Sequence, residues 1–222
     1  MEVNSLYVGM QQPLLPEEWI TRASRLSTSL FCDVMGRTGA MDYSIKPVTT
    51  GMKVCGTALT VDLRPGDNLF LHKAINVGQK GYVLVADGKG HIANAYLGEL
   101  MAEAAQKLGL EGIVIDGAAR DKEALIELNL PIFCKGFNPN GPHKDGPGKL
   151  HTSISCGGVS VHPGDLVVGD DDGVVVIPRN IVEDVLTLAE NKADEEEKRK
   201  QDIRSGNIEP AFLKKAMERY GL

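Results

Sequence analysis

Three charged side chains define the chemistry that this chain can carry out. Glu99 opens a helical pattern in Leu97-Gly-Glu-Leu-Met-Ala102. Arg120 and Asp121 follow an apolar run 21 positions later, in Asp116-Gly-Ala-Ala-Arg-Asp121. In a strand-helix-strand unit, the residues that follow two successive parallel strands return to the same edge of the sheet. Two carboxylates meeting there repel unless they share a cation. Mg²⁺ or Mn²⁺ suits such a pair, because these hard ions take oxygen ligands, retain water and need only one or two carboxylates. A small 2-oxo acid would chelate the ion through its carboxylate and keto oxygens, and the ion would stabilise the enolate left when a C–C bond breaks. The planar fork of Arg120 would grip carboxylate or enolate oxygens. The free N–H groups of the helix start, around Gly98, Leu100 and Met101, would take the others.

The elements that must position these groups follow from periodicity. Tyr82–Ala86 and Gly112–Asp116 are apolar runs of strand length, and Leu97–Leu108 has helical spacing that Gly109 ends. Asp87-Gly-Lys-Gly90 is expected to break the first run. Gly117-Ala-Ala119 is expected to turn the chain into a short helix over 121–128, with a third strand at 131–134. This alternation predicts an α/β fold with a parallel sheet, and ligands at the carboxyl ends of its strands, where Asp87, Gly98-Glu99 and Arg120-Asp121 would gather. Upstream, the spacing predicts one helix over Pro16–Met35, a strand over Val54–Leu63 and a helix over Asn68–Val77. The Gly-, Pro- and Asn-rich stretch Lys135–Lys149 reads as a lid, a contact loop or a disordered segment. Residues 157–178 read as antiparallel hairpins, with Asp170-Asp-Asp-Gly173 as a hairpin turn, so the sheet is mixed. The tail predicts a long helix over 180–205 that is apolar on one face only in its first half. The polar second half projects into solvent or lies on a neighbouring subunit. The chain thus divides into a catalytic domain over 1–178 and a helical arm over 179–222.

Composition narrows the function further. A chain of 222 residues forms one compact domain with an arm, burying about 70% of its unfolded surface. A net charge of −6 argues against nucleic acid as a partner, and the absence of an 18-residue apolar run argues against a membrane span. Met1-Glu-Val-Asn4 has neither the basic nor the apolar region of a signal peptide. Cys32, Cys55, Cys134 and Cys156 form no C-x-x-C pair and read as free thiols of a cytoplasmic protein. The five histidines are scattered, Gly88-Lys-Gly90 is too short for a phosphate loop, no G-x-G-x-x-G follows a strand, and no strand lysine presents itself for a Schiff base.

Glu99, the 20 intervening residues and Arg120-Asp121 resemble the signature of the 4-hydroxy-4-methyl-2-oxoglutarate aldolase family, whose members also decarboxylate oxaloacetate. That family includes the regulator of ribonuclease activity A and proteins once labelled demethylmenaquinone methyltransferases. The resemblance covers most of the chain, through Leu26-Ser-Thr28, Cys32-Asp33, Pro65-Gly-Asp-Asn68, Ala95-Tyr-Leu-Gly-Glu99, Val114-Ile-Asp-Gly117 and the Gly157–Pro178 block. It implies a swivelling β/β/α domain assembled as a homotrimer or hexamer. It also implies that Asp121 ligates the metal, that Glu99 holds metal-bound water, that Arg120 binds substrate, and that the amides near Leu100 and Met101 hold pyruvate. A glutamate from a neighbouring subunit's C-terminal helix completes the family's site, which points to Glu195, Glu196 or Glu197 here. The implied activity is retro-aldol cleavage of a 4-hydroxy-2-oxo acid, or decarboxylation of oxaloacetate, through a metal-bound pyruvate enolate. The alternative is a non-catalytic regulator of a ribonuclease. The sequence departs from the signature at Ala124, where an acid is expected and Glu123 stands one position early, and at Glu99, where the usual acid is the shorter aspartate.

Overall fold

The computed structural model describes residues 7–221, so the reading of Met1–Asn4 lies outside the described residues. In chain order the elements are β1 (Tyr7–Val8), α1 (Glu17–Ala23), α2 (Thr28–Val34), β2 (Lys46–Pro47), β3 (Val54–Leu63), α3 (Leu69–Val77), β4 (Tyr82–Leu97), α4 (Glu99–Lys107), β5 (Gly112–Ala119) and α5 (Lys122–Leu128). They continue with β6 (Ile132–Cys134), β7 (Gly136–Phe137), β8 (Gly148–Leu150), β9 (Ile154–Cys156), β10 (Val159–Val161), β11 (Leu166–Asp170), β12 (Gly173–Ile177), α6 (Val182–Arg204) and α7 (Ala211–Glu218). Strands β3, β4, β5 and β6 pair in parallel, whereas β8 and β11 pair antiparallel to the two ends of β3 and β2 pairs antiparallel to β6. The sheet is therefore mixed, as expected.

Side-chain alternation builds the layers. Leu59, Val61, Leu84, Ala86, Ile113 and Ile115 face α3, α4 and α5 in one core cluster. On the other face Ala58, Val83, Val85 and Val114 meet Ile154, Cys156, Val167 and Val176 of the second β layer. A third cluster joins the far side of that layer to α1, α2 and the first half of α6 through Phe31, Val168, Val175, Val182 and Leu186. This is the β/β/α layering expected of the swivelling fold. The 23-residue α6 buries only Val182, Val185, Leu186 and Ala189, so its charged second half projects.

Three local expectations need correction. Pro16–Met35 is two helices, not one, because the chain breaks after Ala23 and restarts at Thr28. There the Asp170 carboxylate accepts the Thr28 N–H at 2.9 Å and the Thr28 hydroxyl at 2.7 Å, anchoring the second helix start to the β11–β12 turn. Asp87-Gly-Lys-Gly90 does not end its strand. β4 runs on to Leu97 with register shifts, which the positive φ of Lys89 and Gly90 accommodates. Gly117-Ala-Ala119 is likewise strand and not turn. The buried Tyr96 ring explains the glycine, since a Cβ at Gly117 would stand 2.6 Å from its Cε2.

Candidate functional site

The site forms where β4 and β5 end side by side. β4 passes through Gly98 directly into α4, and Arg120 N–H donates to Leu97 O at 2.9 Å, which locks the two strand ends together. Asp121 then takes a left-handed conformation, φ 59, that L-residues rarely adopt. It stands at the N-cap position of α5 but makes no cap bond to that helix. Its Oδ2 accepts the Glu99 N–H at 3.1 Å instead, and Arg120 Nε lies 3.5 Å from the same oxygen. The carboxylate is thus placed at the N-terminus of the neighbouring helix, where the helix dipole favours an anion. A side chain at position 98 would abolish the arrangement, because its Cβ would stand 2.3 Å from Asp121 Oδ2 and 3.0 Å from Arg120 Cγ and Nε.

Gly98, Glu99, Leu100, Met101, Arg120 and Asp121 line one cleft of about 490 Å³. The first intrahelical bond of α4 runs from Ala102 N–H to Gly98 O, so the N–H groups of Leu100 and Met101 have no intrahelical partner. Asn68, His72 and Lys144 also line the cleft, and the sequence pattern does not mark any of them as a site residue. The available signal was Pro65-Gly-Asp-Asn68, a turn that leads straight into α3. Burial, reinforced by the Lys144 ammonium, holds His72 below the ordinary histidine pKa.

Of the three readings of Lys135–Lys149, the structure bears out the contact loop. Asn138 Nδ2 donates to Ile92 O at 2.9 Å, Asn140 Nδ2 to Ala93 O at 3.1 Å, and Asn94 Nδ2 to Gly141 O at 2.7 Å. Asp67 secures the far end by accepting the N–H groups of Asp145 and Gly146. Burial alone would raise the Asp67 pKa, but these bonds and that from Leu69 outweigh it and hold it low. The loop presses Gly141 on the Arg120 guanidinium, where a Cβ would come within 3.3 Å of Nη1.

Other expected residues lie elsewhere. Asp87 lies within β4, ten residues before its end, and alternation turns it to the opposite face, beside Asp62 in register, where Lys89 bridges the two. Asp116, on the next strand, lies 2.9 Å from Lys135 Nζ in a pair whose alignment falls short of a hydrogen bond. Burial would lower Lys89, yet Asp62 and Asp87 raise it overall, and pairing with Asp116 raises Lys135. Both amines are held as ammonium ions, unsuited to Schiff-base chemistry. Glu195, Glu196 and Glu197 sit on the projecting half of α6 and none lines the cleft of its own chain. Glu197 faces Lys200 and Arg204 at 3.6 and 3.7 Å. Glu123 and Ala124 lie within α5, outside the cleft lining.

Among the described residues no group of three or more His, Cys, Asp or Glu side chains is arranged to hold a metal ion. Asp121 and Glu99 offer a partial set of hard oxygen donors beside a helix start. That donor chemistry fits a cation such as Mg²⁺ or Mn²⁺, which keeps most of its waters, better than one needing a full protein cage. A second cavity of about 490 Å³ opens at the opposite sheet edge, between Ile20, Cys55 and Leu110. Burial pushes the Cys55 thiol up to about 12, and the Asp170 carboxylate is engaged by Thr28, so this cavity offers no comparable chemistry. No helix among the described residues is long and apolar enough to cross a membrane.

The chain is similar in sequence and in fold to known proteins. A protein of Halalkalibacterium halodurans, provisionally named 4-hydroxy-4-methyl-2-oxoglutarate aldolase, is 40% identical over 191 residues, covering 86% of this chain and 90% of that protein. Among solved structures, Streptomyces coelicolor RraAS2, described as an unusual member of the RNase ES inhibitor RraA protein family, superposes with a TM-score of 0.76. It is 27% identical, over 84% of this chain and 98% of that one. A protein of Pseudomonas syringae pv. tomato superposes with a TM-score of 0.78 at 26% identity, over 89% and 93% of the two chains. Residues 28–176 match the family described as RraA-like, Aldolase/RraA, and the chain belongs to that family.

Proposed function

We propose that this chain is a divalent-metal-dependent lyase that cleaves a 4-hydroxy-2-oxo acid to pyruvate and decarboxylates oxaloacetate. One observation carries the reading: Arg120, Asp121 and the free N-terminal turn of α4 converge on one cleft. The aldolase name of the Halalkalibacterium relative supports it. Arg120 binds the substrate carboxylate with its fork, and the N–H groups of Leu100 and Met101 hold the remaining oxygens of the pyruvyl end. Asp121, with Glu99 through water, would hold Mg²⁺ or Mn²⁺. When bound, the ion supplies Lewis-acid withdrawal of electron density from the 2-oxo group. As the C3–C4 bond breaks, its electron pair passes to C3, a water held by Glu99 takes the 4-hydroxyl proton as C4 becomes a carbonyl, and that water returns a proton to C3 of pyruvate. Lys144 adds positive charge to the wall, which suits a second carboxylate on the substrate.

Leu100 is 79% exposed at the rim of the cleft. In the homo-oligomer that we propose, a trimer or hexamer, a neighbouring copy would cover this side chain. In that assembly one of Glu195, Glu196 and Glu197 would enter the neighbour's site, and residues 179–222 would act as the joining arm to the catalytic domain over 1–178.

The test is pyruvate release from several 4-hydroxy-2-oxo acids and oxaloacetate, followed through a coupled dehydrogenase. Turnover should vanish with chelator and return on adding Mg²⁺ or Mn²⁺. A second reading, a non-catalytic regulator, draws support from the structural likeness to RraAS2. It predicts no turnover of any of these acids, together with a stable complex with a ribonuclease.

Gly98 provides a sharper probe. Gly98→Ala should lower kcat/KM about 10²-fold, since a displacement of about 1 Å at a reacting site costs that much. Its far-ultraviolet circular dichroism should match that of the parent. Unchanged turnover would mean that Asp121 and Arg120 need not hold the positions seen here.

A further inference from the structure

The cleft wall formed by the start of α3 carries one polar atom that the fold leaves without a partner. Asn68 is 3% exposed and lines the cleft. Its Nδ2 donates to Tyr96 O at 2.9 Å and lies 3.2 Å from Met101 Sδ. This fixes the amide orientation, because a flip would set two oxygens against each other. Oδ1 has no hydrogen-bond partner, and the side chain makes no cap bond to α3 although it occupies the N-cap position. Native folds rarely leave a buried acceptor in this state, and such an exception calls for a ligand, a water or a catalytic role. Met101 connects this atom to the anion-binding end: its sulfur touches the Asn68 amide, and its own N–H belongs to the free turn of α4.

We propose that Asn68 Oδ1 accepts a hydrogen bond from the 4-hydroxyl of the substrate, which makes Asn68 a specificity-determining residue for 4-hydroxy-2-oxo acids. This rests on the lyase reading above. Oδ1 is an acceptor only, and neither a keto group nor an ionised carboxylate can donate to it. A hydroxyl can. A site built to hydrogen-bond a hydroxyl rejects the analogue that lacks it far more strongly than an apolar wall would, because the analogue leaves the site's polar atom unpaired.

The experiment compares the parent with Asn68→Ala and the volume-preserving Asn68→Leu, all loaded with Mg²⁺. Cleavage of 4-hydroxy-2-oxoglutarate should lose about 10- to 100-fold in kcat/KM, as expected for a lost substrate hydroxyl contact. Decarboxylation of oxaloacetate, which has no hydroxyl to donate, should lose at least about 10-fold less than aldol cleavage does, and so should inhibition by 2-oxoglutarate. Equal losses on both substrates would reduce Asn68 to a structural residue and overturn the proposal, and so would undiminished aldol cleavage. If the parent turns over neither substrate, the lyase reading fails, and calorimetry then judges the proposal separately. The parent should bind 4-hydroxy-2-oxoglutarate at least about 10-fold more tightly than 2-oxoglutarate, and equal affinities overturn it. That comparison needs only the parent and decides the matter even if both variants fail to fold.

Discussion

Replacing Arg120 by Ala should lower kcat/KM for pyruvate release at least about 10³-fold, equivalent to about 4 kcal/mol of lost transition-state stabilisation. The size follows from what the guanidinium is positioned to do. Arg120 leaves β5 with its backbone fixed to Leu97, its stem over Gly98 and one Nη against Gly141, so its fork is held before substrate arrives. A charge-assisted contact made by a preorganised group loses little on binding, and its removal leaves a substrate anion unpaired in the cleft. Arg120→Lys should recover only a small part of the loss, because an ammonium has one charged point where the fork has two parallel donors. Stability should hardly move in either variant. The Arg120 side chain is 44% exposed and pairs with Asp121 only at 3.5 Å, and exposed substitutions of this kind usually change stability by less than about 0.5 kcal/mol. Steady-state kinetics beside thermal melts checks both halves. An Ala variant within about 10-fold of the parent would remove Arg120 from the proposed site.

The sequence exposes the elements near the site more clearly than the way they connect. Apolar runs and helical spacing located β3, β5, α3 and α4 to within a few residues, because each presents one face to a core and that face leaves a period. The same local signals failed at Asp87-Gly-Lys-Gly90 and Gly117-Ala-Ala119. In both, glycine has the local signature of a chain breaker, whereas it is there to admit the Tyr96 ring, a contact that reaches 21 residues from Gly117. The helix over Pro16–Met35 breaks for a similarly distant reason, since Asp170 fixes the start of α2 from another layer. Position along the chain alone brings Gly98, Glu99, Arg120 and Asp121 together, as the cleft does. It misplaces Asp87, because alternation turns that side chain to the other face of the sheet. Asn68, His72 and Lys144 belong to a turn, a helix and a long loop that no local periodicity links, and only the tertiary fold makes them one wall.

Asp121→Asn should abolish metal-dependent turnover while leaving the architecture in place, and it isolates charge from geometry better than alanine does. Asparagine tolerates the left-handed backbone at φ 59 and keeps a carbonyl oxygen for the Glu99 N–H, so the start of α4 retains its partner. What disappears is the negative charge. A hard divalent ion held by one or two carboxylates loses most of its affinity when one becomes an amide, and kcat/KM should fall at least about 10³-fold. A second readout is independent of catalysis. If Asp121 anchors the ion, Mg²⁺ or Mn²⁺ at 100 times its dissociation constant should stabilise the parent by about 2.7 kcal/mol, and the same concentration should leave the melting temperature of Asp121→Asn unchanged. Asp121→Ala should show the same two losses and melt lower, because it also leaves the Glu99 N–H unpaired and strains the left-handed backbone. Metal-induced stabilisation of equal size in the parent and the Asn variant would place the ion elsewhere, whatever happened to turnover. Turnover lost with metal stabilisation intact would make Asp121 a substrate-positioning group and leave the search for the metal ligands open to the neighbouring chain.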